Sequence, residues 1–323
     1  MEFELLIQNG NNIFQPLVQD GVQWTTERIG SPSKLKFSVI KDDVIAKNGG
    51  FVEGNAVRLK INGQNAFYGF VFKKGRDKKQ IIDVTAYCQM RYLKNKDTYV
   101  YTNKTASDVI RMIASDFRLN LGTIENTGFV IPSRVEDNAA LFDIIYNALD
   151  LELTNRKNMY ILYDDFGKLT LKALEKMKVG ILIDEETGEN FDYKSSIDDS
   201  TYNRIKLSRE NDESGRRDIY IAQDGANINA WGVLQLFDTL QEGENGEAKA
   251  DALLSLYNVK TRNPKITKAF GDVRVRAGTM PVVNLGLGDM NVKNYMLVEK
   301  AVHTLNKDEH WMDLTLRGGE FIG

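Results

Sequence analysis

The chain has 323 residues, 42% hydrophobic and 27% charged, the balance of a folded globular protein rather than a disordered, collagenous or low-complexity one. Its 42 Lys and Arg against 45 Asp and Glu leave a formal net charge of −3, without the basic surplus of a protein that grips nucleic acid by neutralising phosphates. One cysteine, Cys88, rules out an intramolecular disulfide and a cysteine-built zinc cluster, and two histidines leave little for metal or acid–base chemistry.

Residues Met1–Asn9 lack a basic stretch followed by a long apolar one, so no secretory signal is expected. No apolar run approaches the roughly 20 residues of a membrane span. The length predicts about two domains.

The first hundred residues read as short strands. Leu35-Lys36-Phe37-Ser38-Val39 and Ala56-Val57-Arg58-Leu59-Lys60-Ile61 alternate apolar and polar, and the second ends at the turn Asn62-Gly63. Strands at 67–72 and 81–87 follow. Turns at this spacing predict a small antiparallel sandwich or barrel over residues 1–100.

The pattern changes near residue 100. Thr105-Ala106-Ser107-Asp108 sets a hydroxyl cap three residues before a carboxylate, and Val109, Ile110, Ile113 and Phe117 follow at helical spacing. This helix is expected to end at Leu121-Gly122, and a second to start near Asp137-Asn138. Asp164-Asp165-Phe166-Gly167, between apolar runs, reads as a hairpin turn. Residues 101–196 are therefore expected to form a small α+β unit.

From Asn203 strands return at 204–208, 218–222 and 233–237, with a helix expected over about 247–261. Polar stretches at 211–215 and 242–246 read as exposed turns. Long strands are expected at 272–276, 295–299 and 310–316, so residues 197–323 form a second β unit.

The two β units share a pattern. Gly54 leads to strand centres at 70 and 84, and Gly278 leads to centres at 298 and 314. Similar order and spacing suggest a duplicated barrel around a central insert.

Few residues invite chemistry. Asp165-Phe166-Gly167 has the letters of the kinase magnesium motif without its partner motifs, and a hairpin explains its glycine. Gly286-Leu287-Gly288 lacks the third glycine and the helix of a dinucleotide site. With a turn at 305–308, His303 and His310 are expected directly opposite each other, as a plain cross-strand pair rather than a metal site, which wants a third ligand. Cys88 is expected to pack rather than react. Asp192, Asp198 and Asp199 do not have calcium-loop spacing. Lys73-Lys74-Gly75-Arg76-Asp77-Lys78-Lys79 reads as a solvated hairpin tip or a contact loop for an acidic partner. No catalytic, cofactor-binding or metal residue is assigned, and the residues alone point to a non-catalytic, β-rich assembly protein.

Asp224-Gly225-Ala226-Asn227-Ile228, Trp231-Gly232-Val233-Leu234-Gln235, Gly271-Asp272-Val273-Arg274-Val275-Arg276-Ala277-Gly278 and Asp313-Leu314-Thr315-Leu316-Arg317 resemble the tail hub proteins of PBSX-like prophages. So do Thr105–Ile110 and Ala86–Leu93. Cys88 stands where that family leads one to expect an acidic residue. The resemblance spans most of residues 50–320 and extends to the phage late control gene D proteins and R-type bacteriocin hubs. It implies a mainly β protein with two similar β-barrel tube domains, 1–100 and 197–323, around an α+β middle domain, 101–196. It further implies a homotrimer with pseudo-sixfold symmetry that joins the tail tube protein to the central spike protein. Baseplate wedge proteins would meet its outside, and tape-measure protein or DNA would pass through its lumen. Assembly in the bacterial host cytoplasm, then residence in the baseplate, is the location it implies. It implies no enzymatic activity and no cofactor. The rival readings are a tail-associated peptidoglycan hydrolase and a receptor- or carbohydrate-binding tail protein.

Overall fold

The computed structural model describes residues 1–323 except 41–44, 46–48, 77, 79–80, 199–200, 212–214, 241–243, 263, 287–290 and 319–323. Parts of the expected turns at 211–215 and 242–246, of the Gly286-Leu287-Gly288 motif, of the Asp198-Asp199 pair and of the basic 73–79 stretch lie outside the described residues.

Seven strands open the chain: β1 (Phe3–Asn9), β2 (Asn12–Phe14), β3 (Val22–Glu27), β4 (Lys34–Ile40), β5 (Ala56–Ile61), β6 (Gln64–Arg76) and β7 (Ile81–Tyr87). Alternation sets their faces: Val57, Leu59 and Ile61 are buried, and the residues between them are half-exposed. Asn62 and Gly63, with φ of 48° and 76°, give the two-residue turn in which Ile61 pairs with Gln64. β3 escapes the alternation rule because Trp24, Thr25 and Thr26 are all buried in a row. Both of its faces are covered.

The middle of the chain holds β8 (Lys96–Lys104), α1 (Ala106–Asp116), β9 (Leu121–Ile124), β10 (Ile131–Ala140), α2 (Leu141–Arg156), β11 (Tyr160–Asp164) and β12 (Leu169–Ala173). The expected capping box is present. The Thr105 hydroxyl accepts the Asp108 N–H, and the Asp108 carboxylate accepts the Thr105 N–H at 3.0 Å. Two boundaries differ from expectation. α1 stops at Asp116, where Arg118 takes a φ of 51°, and Leu121-Gly122 is strand. α2 starts at Leu141, because Asp137-Asn138 forms an irregularity in the β10–β8 pairing between Glu136 and Ala139.

Then come β13 (Lys178–Asp184), β14 (Gly188–Asp192), β15 (Ser195–Ser196), β16 (Arg204–Asn211), β17 (Arg216–Gln223), α3 (Gly225–Trp231), β18 (Gln235–Thr239) and α4 (Gly246–Tyr257). The chain closes with β19 (Thr261–Arg262), β20 (Lys265–Phe270), β21 (Met280–Gly286), β22 (Asn291–Tyr295), β23 (Leu297–Leu305) and β24 (His310–Arg317). α4 stops at Tyr257, short of the expected Thr261. The expected strand at 272–276 is a turn. The Asp272 carboxylate accepts the Arg274 N–H at 2.9 Å, and the Asp272 carbonyl accepts the Val275 N–H at 3.0 Å. The alternating valines there reflect one buried residue, Val275, rather than a pleat.

The fold is mainly β. Eleven strands make one sheet in the order β14-β20-β24-β23-β3-β4-β7-β6-β5-β1-β2. Within it, β14-β20-β24-β23 and β3-β4-β7-β6 are the same four-strand arrangement twice, with every neighbouring pair antiparallel.

The two copies agree in residue-level detail. The Gly54 N–H donates to the Val71 carbonyl at 2.8 Å, and the Val71 N–H returns to Asn55 at 2.9 Å. The Gly278 N–H donates to Val298 at 2.8 Å, and the Val298 N–H returns to Thr279 at 2.9 Å. Both glycines are left-handed, with φ of 89° and 91°, a region that costs a side chain strain. A bulge follows each pairing. Register slips between Val71 and Lys73 against Ala86 and Thr85, and between Val298 and Lys300 against Leu316 and Thr315.

The copies differ in two places. β5 is flanked antiparallel by β1, whereas β21 is flanked in parallel by β13. The β3–β4 connection is Arg28–Ser33, while the matching connection carries residues 197–260. That insert is a three-stranded sheet, β17-β16-β18, under α4, with its own core of Ile205, Leu207 and Ala250. β15 and β19 pair with each other at its neck.

Candidate assembly interface at the seam between the two units

Where the copies meet, β3 pairs antiparallel with β23, Glu27 opposite Lys300 and Val22 opposite Leu305. The seam gathers a cluster of polar and aromatic contacts. Trp24 stacks on the His303 ring with centroids 4.7 Å apart, and both are buried. Arg28 grips Glu299 through two bonds of 2.8 and 3.0 Å, a bidentate pair whose side chains are largely shielded from solvent. Lys300 pairs with Glu27 at 2.9 Å. The Thr26 hydroxyl accepts the Ala277 N–H at 2.8 Å, and the Tyr146 hydroxyl on α2 donates to the Arg28 carbonyl. The seam therefore ties the first unit, the middle helix and the second unit together.

The histidines meet differently from the sequence expectation. The turn is Asn306–Glu309 rather than 305–308, so Leu305 faces His310 and His303 faces Met312. Shifting a turn centre by one residue moves each partner by two and keeps the face, so the two rings are diagonal neighbours. His303 Nδ1 lies 2.8 Å from His310 Nε2, and His303 Nε2 lies 2.7 Å from the Val275 carbonyl. A carbonyl only accepts, so His303 carries its proton on Nε2, and His310 Nε2 must donate to Nδ1. Both nitrogens of His303 are thereby engaged. Burial, then the neighbouring His310, pushes His303 down to about 3, and burial pushes His310 down to about 4. Both rings are neutral at pH 7.

A second anchor lies beside the seam. The Arg276 guanidinium sits 3.8 Å from the centre of the Tyr163 ring and donates to the Asp164 carbonyl at 3.0 Å. Burial pushes the Asp164 carboxyl up to about 6, although it accepts the Gly167 N–H at 2.7 Å. That bond holds the hairpin read from Asp165-Phe166-Gly167, in which Phe166 and Gly167 have φ of 48° and 84°. Cys88 is fully buried and its thiol is pushed well up by that burial. Lys73, Lys74, Gly75 and Arg76, the described part of the basic stretch before its tip, are exposed at the end of β6. Among the described residues no group of three or more His, Cys, Asp or Glu is placed to hold a metal, and no helix is long and apolar enough to cross a membrane.

Tail proteins share this architecture. The structure superposes on the 43 kDa tail protein of prophage MuSo2 from Shewanella oneidensis with a TM-score of 0.71, over 99% of this chain and 100% of that one, at 12% identity. It also superposes on the E. coli type VI secretion component c3393, described as similar to the T4 tail proteins gp27 and gp5, with a TM-score of 0.59. That match covers 99% of this chain and 78% of the other, at 10% identity. The fold is thus that of the phage tail and baseplate class.

The chain belongs to the YqbQ-like family, whose model matches residues 22–317. It is 30% identical over 307 residues, 92% of each chain, to the phage-like element PBSX protein XkdQ of Bacillus subtilis (strain 168). The chain is thus a relative of a phage-like element protein and has the fold of phage tail proteins.

Proposed function

We propose that this chain is the structural hub of a contractile tail, a homotrimeric ring between the tail tube and the central spike. The observation that supports the reading is the tandem strand order β14-β20-β24-β23, β3-β4-β7-β6 within one chain. Three chains with two such units each present six similar units, which adapts a threefold spike to a sixfold tube. In this reading the expected tube domains, 1–100 and 197–323, each close as a barrel within the ring, the second together with β13 and β14 from the expected middle domain 101–196, and the rest of that middle domain faces the baseplate wedge. The near-neutral charge suits a lumen through which tape-measure protein or DNA passes without being held. Function is then geometric and needs neither catalysis nor a cofactor.

The test is electron microscopy of particles carrying an epitope on this chain. Label at the junction of tube and spike is the expected result, and label along the sheath or at fibre tips refutes the reading. A zymogram on bacterial cell walls addresses the hydrolase alternative, and the hub reading expects no clearing.

A further inference from the structure

A cavity of about 300 Å³, at the lower end of the range for ligand pockets, opens where the first, middle and second parts of the chain meet. Its walls come from the start of β6, the β11–β12 hairpin, the entry to β13 and the turn that runs to Thr279. Five cations line it: Lys172, Lys176, Lys178, Arg274 and Arg276. Asp165 is the one acid among its described lining residues. The chain as a whole, by contrast, has a formal net charge of −3.

Two of the five cations are already paired. Glu125 holds Lys176 at 3.1 Å, and Asp272 holds Arg274 at 2.7 Å. Among the described residues, Lys172, Lys178 and Arg276 have no carboxylate at ion-pair distance. Each is held instead at a tyrosine ring. Lys172 Nζ lies 5.9 Å from the centre of the Tyr163 ring, Arg276 Cζ lies 3.8 Å from the same centre, and Lys178 Nζ lies 5.1 Å from that of Tyr295. A guanidinium has donors for several acceptors. That of Arg276 gives one to the Asp164 carbonyl at 3.0 Å, and its Nε is buried without a partner. Asp164 and Asp165 offset part of its charge without pairing to it. Phe166, Met177 and Val273 add apolar wall beside the charges.

We propose that this cavity binds an oxyanion, a carboxylate or phosphate group carried on a small, partly apolar body. Lys172, Lys178 and Arg276 supply the charge, and the cleft that gathers them concentrates anions near its mouth. Because the walls come from all three parts of the chain, an occupant ties those parts together and stabilises the folded state by mass action. The source of the group is either a free small anion or an acidic side chain on a partner segment, which present the same oxygens. The site does not rest on the hub reading.

Thermal melts of the purified full-length chain test it. Inorganic phosphate, citrate and a glutamate-rich peptide are each compared with sodium chloride at equal ionic strength, which removes general screening. At least one of the three is expected to raise the melting temperature by about 3 °C or more at saturation. That rise is expected to shrink at least about threefold in Lys172→Gln/Lys178→Gln and to persist in Lys96→Gln/Lys104→Gln, which removes two exposed charges from β8. Lys172 is half-buried and Lys178 exposed, so the first double variant is expected to fold, which its melt without ligand verifies; Lys178→Gln alone gives the same reading in weaker form. A rise with phosphate or citrate assigns the site to a free anion, and a rise confined to the peptide assigns it to a partner's side chain. No rise with any of the three overturns the site. So does a rise that survives in Lys172→Gln/Lys178→Gln, the mark of solute exclusion from the protein surface, or one that falls equally in the β8 variant.

Discussion

The two β units repeat their backbone far more faithfully than their side chains. Gly54 and Gly278 share a left-handed φ, a reciprocal pair of bonds to a valine and a bulge one residue later. The bulged residues themselves are Phe72 and Glu299. Phe72 packs among Tyr87 and Tyr92 with Arg91 over its ring, whereas Glu299 is bound by Arg28. What is held constant is the path that puts a strand edge beside its neighbour. What varies is the chemistry on that edge. The connections differ even more: Arg28–Ser33 in one unit, the 197–260 insert in the other. Loop insertions are tolerated because closing a longer loop costs little once the strands flanking it pair, as β15 and β19 do.

Breaking the glycines in turn separates backbone from packing. A Cβ on Gly278 would lie 2.3 Å from Ile161 Cγ2, whereas one on Gly54 meets nothing within 4 Å. Gly278→Ala is expected to cost about 3–4 kcal/mol, from strain plus overpacking, and Gly54→Ala about 1–2 kcal/mol, from strain alone. Urea denaturation of both variants checks the difference. Equal losses would mean that the corner, not its docking on the middle unit, limits stability.

Acid should loosen the second unit first, because both histidines lie there. Their folded pKa values sit below the unfolded value of about 6.5, so below that pH the unfolded chain binds more protons and stability falls with pH. Asp164 acts oppositely. Its raised value makes the folded chain bind the extra proton between about pH 4 and 6. Two protons against one leave a net loss on the order of 2 kcal/mol between pH 7 and 5. A melting temperature that falls over this range, and falls more steeply in Asp164→Asn, is the expected result. A flat profile contradicts the neutral histidine pair.

Removing Glu299 takes from the half-buried Arg28 its bidentate partner, and removing Arg28 leaves Glu299 with the longer 3.8 Å contact to Arg317. Glu299→Ala and Arg28→Ala are each expected to cost about 1.5–3 kcal/mol, with strong coupling in a double-mutant cycle. Phe72→Glu, at the matching position in the first unit, gives up its contacts with Tyr87 and Tyr92 but sets a carboxylate beside Arg91, and is expected to cost about 1–2 kcal/mol. Urea denaturation beside Glu299→Ala measures the difference.

Much of this was legible beforehand where one residue type has one strong reason to be there. Asn62-Gly63 fixed a turn, Thr105 with Asp108 fixed a helix start, and the steps from Gly54 and Gly278 pointed to the repeat. The seam was hidden because β3 is buried on both faces and shows no alternation. Val273 and Val275 alternate without a strand because Asp272 captures the backbone N–H of Arg274. The histidine contact was half legible: sequence fixed the shared face, while the register depended on a turn that Asn306 and Glu309 close one residue later. Pairing between residues as distant as Trp24 and His303 has no local signal at all.

The central claim is that one chain supplies two equivalent positions in a ring. A reconstruction of the tail tip by electron cryomicroscopy, without imposed symmetry, tests it most directly. Three copies, each of 36.6 kDa and together about 110 kDa, are expected between tube and spike, placing six similar four-strand units around the axis. A single copy, or three copies whose two units do not take up similar positions around the axis, would contradict it.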